Sequence, residues 1–252
     1  RGADALRWDF YATQATWNSV IYSTQAIRDS VPEFLLRLWN VYGFFTIYAN
    51  IDGFDPKKAS PRPVAQREEL DRWILSELNK TIKTVTEKMD AYDSFGASGC
   101  LSAFVDALSN WYVRSSRDRF WSSDKKDVNK IDAYSTLYEC LTTLVKAIAP
   151  FVPFISEKIY RALVASQDAS APESVHLCDF PVADESLIDE TLSFRMNLVR
   201  EIVSLGRAAR SSAKLKVRQP LKKVEVVLTD ESNVEWLKNH ETLVADELNV
   251  KQ

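Results

Sequence analysis

The feature that most constrains this fold is an apolar repeat of helical period between residues 67 and 90. The repeat consists of Leu70, Ile74, Leu78, Ile82, Val85 and Met89. Apolar side chains spaced three and four residues apart form one stripe along an α-helix, and that stripe must be buried against another element. The chain also has only 6 glycines, which disfavours sandwiches and barrels with many tight turns. The sequence therefore predicts a mainly α protein.

The same period returns over about 97–122 and over 131–148, and a shorter amphipathic stretch ends at Val164. Between the last two stretches, Pro150 and Pro153 disfavour helix at the residues before them. Short polar loops join the helical stretches, which is typical of an antiparallel helical bundle with one core. We therefore expect a bundle domain over residues 67–185.

The residues before the bundle, 1–66, predict a helical connector. Ser30-Val31-Pro32-Glu33 has the pattern of a capping box and predicts the start of a helix. Residues 52–66 carry three prolines and mixed charge, which is typical of a loop between domains. The chain begins inside a helical pattern without an initiator methionine, so we expect it to be a piece of a larger protein.

The residues after the bundle, 186–252, begin with a long amphipathic pattern that predicts its last helix, ending near Ser212. The period then changes, because 224–228 reads like a β-strand and 231–248 is helical again. A strand followed by a helix predicts the start of a small α/β unit.

Charge is informative only locally, because the net charge of -3 excludes a general polyanion binder. Residues 109–121 combine two tryptophans with three arginines. On a helix, Arg114, Arg117 and Trp121 share one face. Guanidinium groups bind phosphate and aromatic rings stack on unpaired bases, but aromatic stripes are more often core, with solvated arginines beside them. This stretch alone favours the core interpretation.

A second basic segment has no acidic residue between 206 and 224. Its charged residues are Arg207, Arg210, Lys214, Lys216, Arg218, Lys222 and Lys223. Lysine and arginine suit the C-terminal end of a helix, but this run extends beyond the turn that the helix dipole reaches. A phosphate-binding segment and a solvated helix end are about equally favoured.

Nothing in the sequence predicts a catalytic, metal or membrane site. The histidines His176 and His240 have no partners in a recognisable motif, and no glycine-rich phosphate loop is present. Three widely spaced cysteines suggest reduced thiols in a cytoplasmic protein rather than a disulfide framework or a metal cluster. The longest apolar run, 41–49, is far shorter than the ~20 residues of a membrane span.

Several motifs together resemble one known family. Leu108-Ser109-Asn110-Trp111-Tyr112-Val113-Arg114, followed by Arg117, Phe120 and Trp121, closely resembles the signature of isoleucyl-tRNA synthetase. Three further stretches are similar to that family in the same order. They are Gly2-Ala3-Asp4-Ala5-Leu6-Arg7, then Ala149-Pro150-Phe151-Val152-Pro153-Phe154 with Glu157 and Tyr160, and Ala213-Lys214-Leu215-Lys216-Val217-Arg218-Gln219-Pro220-Leu221.

The resemblance implies an anticodon-binding portion of such an enzyme. Residues 1–66 would follow the catalytic domain, 67–185 would form the anticodon-binding bundle, and 186–252 would hold its last helix and the start of a junction domain. The family's His-x-Gly-His and Lys-Met-Ser-Lys-Ser motifs are absent, so this chain should be inactive alone and should need no cofactor, although the parent enzyme uses ATP and magnesium. The implied partners are tRNA(Ile) and the parent's catalytic and editing domains, in a monomer.

For tRNA contact, the resemblance and the charge pattern favour Arg114, Arg117 and Arg119 on anticodon-stem phosphates, with Trp121 as a stacking surface and Trp111 as core. Lys214, Lys216 and Arg218 are a second set, for backbone contact near the loop. Asp118 departs from the family, which often carries further arginines there. Two alternatives stay open: a valyl-tRNA synthetase fragment, and a helical protein-interaction module that binds no tRNA.

Overall fold

The structure, a computed structural model, describes residues 2–15, 17–19, 23–228 and 230–251. The chain divides into two compact units, Arg1–Ile188 and Asp189–Gln252, called here the N-terminal and the C-terminal unit. None of the described helices is both long enough and apolar enough to cross a membrane.

The N-terminal unit is helical. Its α-helices among the described residues are α1 (Ala3–Ala12), α2 (Thr24–Ser30), α3 (Leu36–Asp52), α4 (Glu69–Asp90), α5 (Ser94–Asp106), α6 (Arg117–Trp121), α7 (Val128–Ile148) and α8 (Pro153–Tyr160). Three π-helical segments, Val31–Leu35, Ala107–Val113 and Arg161–Ala165, interrupt or extend these helices. Short 3-10 turns lie at Val64–Gln66, Val175–Leu177 and Glu185–Leu187.

The core of this unit lies where α4 packs against α5 and against α7. A turn after α4 reverses the chain, and the Asp93 carboxylate accepts a hydrogen bond from the Gly96 backbone N–H at 2.8 Å to start α5. Ile74, Leu78 and Ile82 of the predicted α4 stripe are fully buried. The prediction of a mainly α, antiparallel helical bundle is therefore confirmed.

The prediction of a helix start at Ser30 was wrong. The helix begins earlier, at Thr24, where the Ser23 hydroxyl accepts a hydrogen bond from the Ala26 N–H at 3.3 Å. α2 then runs through the π-helical segment Val31–Leu35 into α3. Proline cannot donate an intrahelical hydrogen bond, and the wider π-helical turn spans Pro32 without ending the helix. The Ser30 side chain lies outside the described part of the structure.

The predicted connector between α3 and α4 is anchored to the bundle. α3 ends at Asp52 and is capped by Gly53, whose φ of 71° is left-handed. Further along, the Arg62 guanidinium Nε lies 2.6 Å from the carboxylate of Asp132, which is completely buried in α7. The Arg62 backbone N–H donates to the same carboxylate at 2.8 Å. These contacts hold the proline-rich stretch against the bundle.

The C-terminal unit contains α9 (Glu190–Ser212), α10 (Val234–Asn239) and α11 (Glu241–Leu248), with a 3-10 turn at Glu231–Asn233. The predicted strand at 224–228 is not formed among the described residues. The β-pairing described here is a single parallel bridge between Leu221 and Val250. A strand is stable only with a ladder partner along its length, and Val227 is 93% exposed. The strand of the α/β unit predicted at this end was therefore wrong, whereas the helical stretch predicted over 231–248 is confirmed by α10 and α11.

Candidate nucleic-acid interface

The aromatic–arginine segment, residues 109–121, begins in the π-helical segment Ala107–Val113. Trp111 and Tyr112 lie on the inner side of this segment and are buried. The core position favoured for Trp111 is thus confirmed. Single π-helical turns occur frequently at functional sites, so the wide turn directly before Arg114 is consistent with a functional segment.

The helix does not continue unbroken through the segment. Ser116 leaves helical geometry with φ -96° and ψ 3°, and α6 starts anew at Arg117. The shared face inferred from the spacing of Arg114, Arg117 and Trp121 assumed one continuous α-helix, so that argument no longer holds. All three side chains are nevertheless exposed, and Trp121 is 54% exposed.

Arg119 has an internal role that the sequence did not indicate. Its two terminal nitrogens donate to the two carboxylate oxygens of Asp71 at 2.9 and 2.6 Å. It also donates to the Asn129 carbonyl at 2.8 Å. The Asp71 side chain is completely buried and that of Arg119 is 17% exposed. The phosphate contact predicted for Arg119 stays a prediction, but its guanidinium is already held by the protein.

Tyr112 completes this internal network. Its hydroxyl donates to Asp71 Oδ1 at 2.6 Å. Burial, together with the negative charge of Asp71, raises the pKa of Tyr112 well above its usual value, so the phenol stays neutral. Burial alone lowers the pKa of Arg119, but the hydrogen bond and charge of Asp71 outweigh burial and raise the pKa. The network therefore keeps a permanent charge pair beneath the exposed side of the segment.

Arg117 differs from Arg119 because its side chain is exposed and makes no ion pair with any described residue. Arg114 is exposed as well. Asp118, between them in sequence, is also exposed and reduces the local positive charge. The exposed surface of this segment consequently carries two arginines and one tryptophan.

The basic loop, residues 213–223, begins where α9 ends. The Leu215 N–H donates to the Arg210 carbonyl at 2.8 Å and the Lys214 N–H donates to the Ser211 carbonyl at 2.9 Å. This pair of bonds forms a Schellman motif, whose C′ residue is usually glycine. Here the C′ residue is Lys214, with a left-handed φ of 57°. A lysine at this position costs backbone energy, since its Cβ is crowded there.

Arg210 organises the basic loop from inside. It is only 5% exposed, although it was counted among the charges of the second basic segment. One terminal nitrogen donates to the carbonyls of Lys216 at 2.8 Å and Val217 at 3.1 Å, and to that of Gln219. Because these carbonyls turn inward, the loop is held in one shape. The side chains of its remaining basic residues, Lys214, Lys216, Arg218, Lys222 and Lys223, are exposed.

Two partners in these networks escaped sequence reasoning. Asp71 carried a usable signal, since it is a carboxylate within a stripe of buried residues and such a group needs a charged partner. No sequence signal indicated the role of Arg210, because the carbonyls that it binds lie six to nine residues further along the chain and follow no periodic pattern. The two basic segments belong to different units.

No group of three or more histidine, cysteine or acidic side chains in the described ranges is arranged to hold a metal ion. Cys100, Cys140 and Cys178 are free, and Cys140 is buried. Burial raises the pKa of the Cys140 thiol well above its usual value, so this thiol is protonated and unreactive.

Exposed arginines beside a tryptophan in the N-terminal unit, and an exposed basic loop in the C-terminal unit, are local features typical of RNA-binding surfaces. Residues 71–226 match the family described as the anticodon-binding domain of tRNA ligase, and the chain belongs to this family. The matched range includes both the aromatic–arginine segment and the basic loop.

Several proteins similar to this chain are isoleucine–tRNA ligases. The chain is 50% identical to the isoleucine–tRNA ligase of Dehalococcoides mccartyi over 250 residues, 99% of this chain and 24% of that protein. It is 45% identical to the enzyme of Clostridium novyi over 251 residues, 100% of this chain and 23% of that protein. The chain therefore spans about a quarter of the length of these relatives. Their names favour the isoleucyl over the valyl alternative.

A solved structure supports the fold. The LeuRS of Agrobacterium radiobacter K84, in a ternary complex with tRNA and LeuAMS, superposes with a TM-score of 0.53. The match covers 75% of this chain and 20% of that chain at 20% sequence identity. At this identity the likeness concerns the fold alone.

Proposed function

We propose that this chain holds the anticodon stem-loop of tRNA(Ile) as part of an isoleucine–tRNA ligase. The observation that carries the proposal is the match to an anticodon-binding domain over 71–226, which contains both exposed basic segments. Relatives named isoleucine–tRNA ligase match the chain over nearly its full length, which supports the choice of tRNA.

In the aromatic–arginine segment, Arg114 and Arg117 bind phosphates of the anticodon stem. Guanidinium groups suit this role because they donate in a fork and stay charged. Trp121 offers an exposed ring on which an unpaired loop base can stack, and such stacking is worth about 1–3 kcal/mol per base. Sequence discrimination comes from the unpaired loop, because an A-form stem hides the base edges in its deep groove.

The basic loop contributes backbone contacts through Lys214, Lys216 and Arg218. Their side chains are exposed and their charged groups make no ion pair with a described residue. The strained φ of Lys214 supports this role, since unfavourable backbone geometry tends to persist at functional positions. Arg210 holds the loop in shape from within and does not itself touch the tRNA.

The chain does not perform aminoacylation by itself in this proposal. It lacks the family's two ATP-site motifs, and it spans about a quarter of its relatives. Activation of isoleucine with ATP and magnesium, and editing, belong to the rest of the ligase.

We place the ligase in the cytoplasm as a monomer. The free cysteines support a reducing compartment, and size-exclusion chromatography with light scattering tests the oligomeric state.

The test is fluorescence anisotropy of the 252-residue chain with a tRNA(Ile) transcript and with an anticodon-swapped copy, over a salt series. Tighter binding of the true anticodon is the expected result. Equal, salt-sensitive binding of both transcripts would show that the chain binds the tRNA backbone but does not recognise the anticodon. Absence of binding at low salt by both the chain and the full-length ligase would overturn the proposal and favour a protein-interaction module.

A further inference from the structure

Helix α1 lies outside the matched anticodon-binding range, yet it is bonded to a corner within that range. The corner, called the proline corner, comprises residues 149–155, where α7 ends and α8 begins. Its two prolines, Pro150 and Pro153, have no backbone N–H, so the corner cannot satisfy its backbone groups by continuing a helix.

Asp4 of α1 caps α8 from a distance of 150 residues in sequence. Its Oδ1 accepts from the Phe154 N–H at 3.2 Å and its Oδ2 accepts from the Ile155 N–H at 2.7 Å. These two groups belong to the second and third residues of α8, whose N–H groups an N-cap side chain normally satisfies. The actual N-cap, Val152, has no side chain that can do so. Asp4 is 8% exposed, and its carboxylate also complements the positive end of the helix dipole.

Arg7, one turn further along α1, binds the carbonyls of the same corner. Its Nε donates to the Phe151 carbonyl at 3.1 Å and its terminal nitrogen donates to the Pro150 carbonyl at 2.7 Å. Asp4 therefore satisfies the donors of the corner, and Arg7 satisfies its acceptors. Removing either side chain leaves backbone groups of the corner without their side-chain partner.

Aromatic rings complete the contact. Trp8 stacks on Phe34 with ring centroids 3.6 Å apart and meets Phe151 edge-on at 6.2 Å. Tyr11 meets Phe151 edge-on at 5.2 Å. Such ring pairs have preferred geometries, so they fix the direction of α1 as well as its position. The α1 helix is thus held on the proline corner by four hydrogen bonds and by the rings of Trp8 and Tyr11 against Phe151.

We infer that Asp4 and Arg7 are positioning residues that lock the anticodon-binding helices to the rest of the ligase through α1. The inference rests on the proposed function. A tRNA held at its anticodon must present its other end to chemistry carried out in the remaining three quarters of the enzyme. If α1 is not held on the proline corner, the enzyme still binds the anticodon with the same affinity but misplaces the opposite end of the tRNA. A small misplacement of a reacting group lowers the rate of a positioned reaction steeply.

The test uses the full-length ligase that contains this chain. The variants Arg7→Ala and Asp4→Ala remove hydrogen bonds between α1 and the proline corner. The variants Arg7→Lys and Asp4→Asn retain part of these hydrogen bonds. We expect Arg7→Ala to lower kcat for aminoacylation about tenfold or more, with KM for tRNA and ATP–pyrophosphate exchange unchanged. Arg7→Lys and Asp4→Asn should fall between the alanine variants and the wild type.

A matched control is Arg37→Ala, which breaks the half-exposed pair between Arg37 and Asp106 at 2.9 Å, a contact that does not involve α1. Thermal unfolding is followed for every variant. If Arg7→Ala does not fold, Arg7→Lys and Asp4→Asn carry the test.

Two outcomes overturn the inference. One is unchanged aminoacylation by a folded Arg7→Ala enzyme, or by the conservative variants if the alanine variant does not fold. The other is a parallel loss of aminoacylation, ATP–pyrophosphate exchange and melting temperature, which is the signature of a structural role only. Failure of the proposed function is seen separately, as absence of tRNA binding by the wild-type enzyme.

Discussion

Asp71 and Arg119 form a two-pronged ion pair across 48 residues, with nitrogen–oxygen distances of 2.9 and 2.6 Å. The pair ties α4 to the short helix α6 and shares an oxygen of Asp71 with the Tyr112 hydroxyl. It lies directly beneath the surface proposed to bind tRNA. The same segment therefore contains arginines of two kinds, one that builds the scaffold and others that face the solvent.

Removing Asp71 should be costly, because a charge that loses its partner inside a protein stays uncompensated. We expect Asp71→Ala to lower the free energy of unfolding by about 3 kcal/mol, measured by urea denaturation. Lys83→Ala, which breaks the exposed pair with Glu185, is the control and should cost less than about 1 kcal/mol. Equal losses in the two variants would contradict a special role for the buried pair.

Substitutions at Arg117 and Arg119 should have different effects, the first on tRNA binding and the second on stability. Arg117→Ala should weaken tRNA(Ile) binding and reduce the slope of log affinity against log salt by about 1, with unchanged stability. Arg119→Ala should instead destabilise the fold. Arg28→Ala, which removes an exposed arginine on α2, is the matched charge control. If the Arg117→Ala chain keeps the wild-type slope of log affinity against log salt, Arg117 is not part of the tRNA interface.

Replacing Lys214 by glycine should raise the stability of the chain and weaken its binding to tRNA. Lys214→Gly relieves the left-handed backbone, and after the entropy cost of glycine we expect a gain of about 0.5 kcal/mol in unfolding free energy. The same change removes a charge and should weaken tRNA binding. Lys216→Ala is the matched control, because it removes one charge at a residue without positive φ. A destabilised Lys214→Gly chain would show that the lysine side chain has a structural contact.

Arg210 should control the order of the basic loop. Arg210→Met removes the donor to three loop carbonyls, and we expect a cost of about 2 kcal/mol together with faster amide hydrogen exchange over 214–221. Lys222→Ala removes a charge from the same loop at an exposed position and should leave exchange unchanged. Identical exchange in Arg210→Met and the wild type would show that the loop holds its shape unaided.

Asp52 should make stability depend on pH in the acid range. Burial alone raises the pKa of Asp52, but the Lys130 ammonium at 2.6 Å and the Tyr134 hydroxyl outweigh it and lower the pKa. A carboxyl group whose pKa is lower in the folded state stabilises the fold above its unfolded pKa of about 3.9, and this stabilisation is lost as pH falls through the folded pKa.

The corresponding experiment compares Asp52→Asn with the wild type by chemical denaturation at neutral pH and at successive pH values below about 4. The wild type should be the more stable at neutral pH, and the difference between the two proteins should shrink as the pH falls. A difference that stays constant over this range would show that Asp52 contributes no charge-dependent stability.

Local patterns were sufficient for some features of the fold. The period of Leu70, Ile74 and Leu78 predicted α4, and the prolines at 150 and 153 predicted the break between α7 and α8. Besides the continuous helix assumed through 109–121, two local predictions failed, at Ser30 and at 224–228. In the first, a π-helical segment spans Pro32, and in the second, an extended segment lacks a partner strand.

The sequence by itself determined the helical class, the position of most helices and the family, because apolar period, turn residues and motifs are properties of neighbouring residues. Only the tertiary structure decided which arginine serves which purpose. Arg119 meets Asp71 across 48 residues and Asp4 meets Ile155 across 151. Such pairs form because packing brings distant helices together and burial forces each charge to find a partner, and no local pattern records which partner that is.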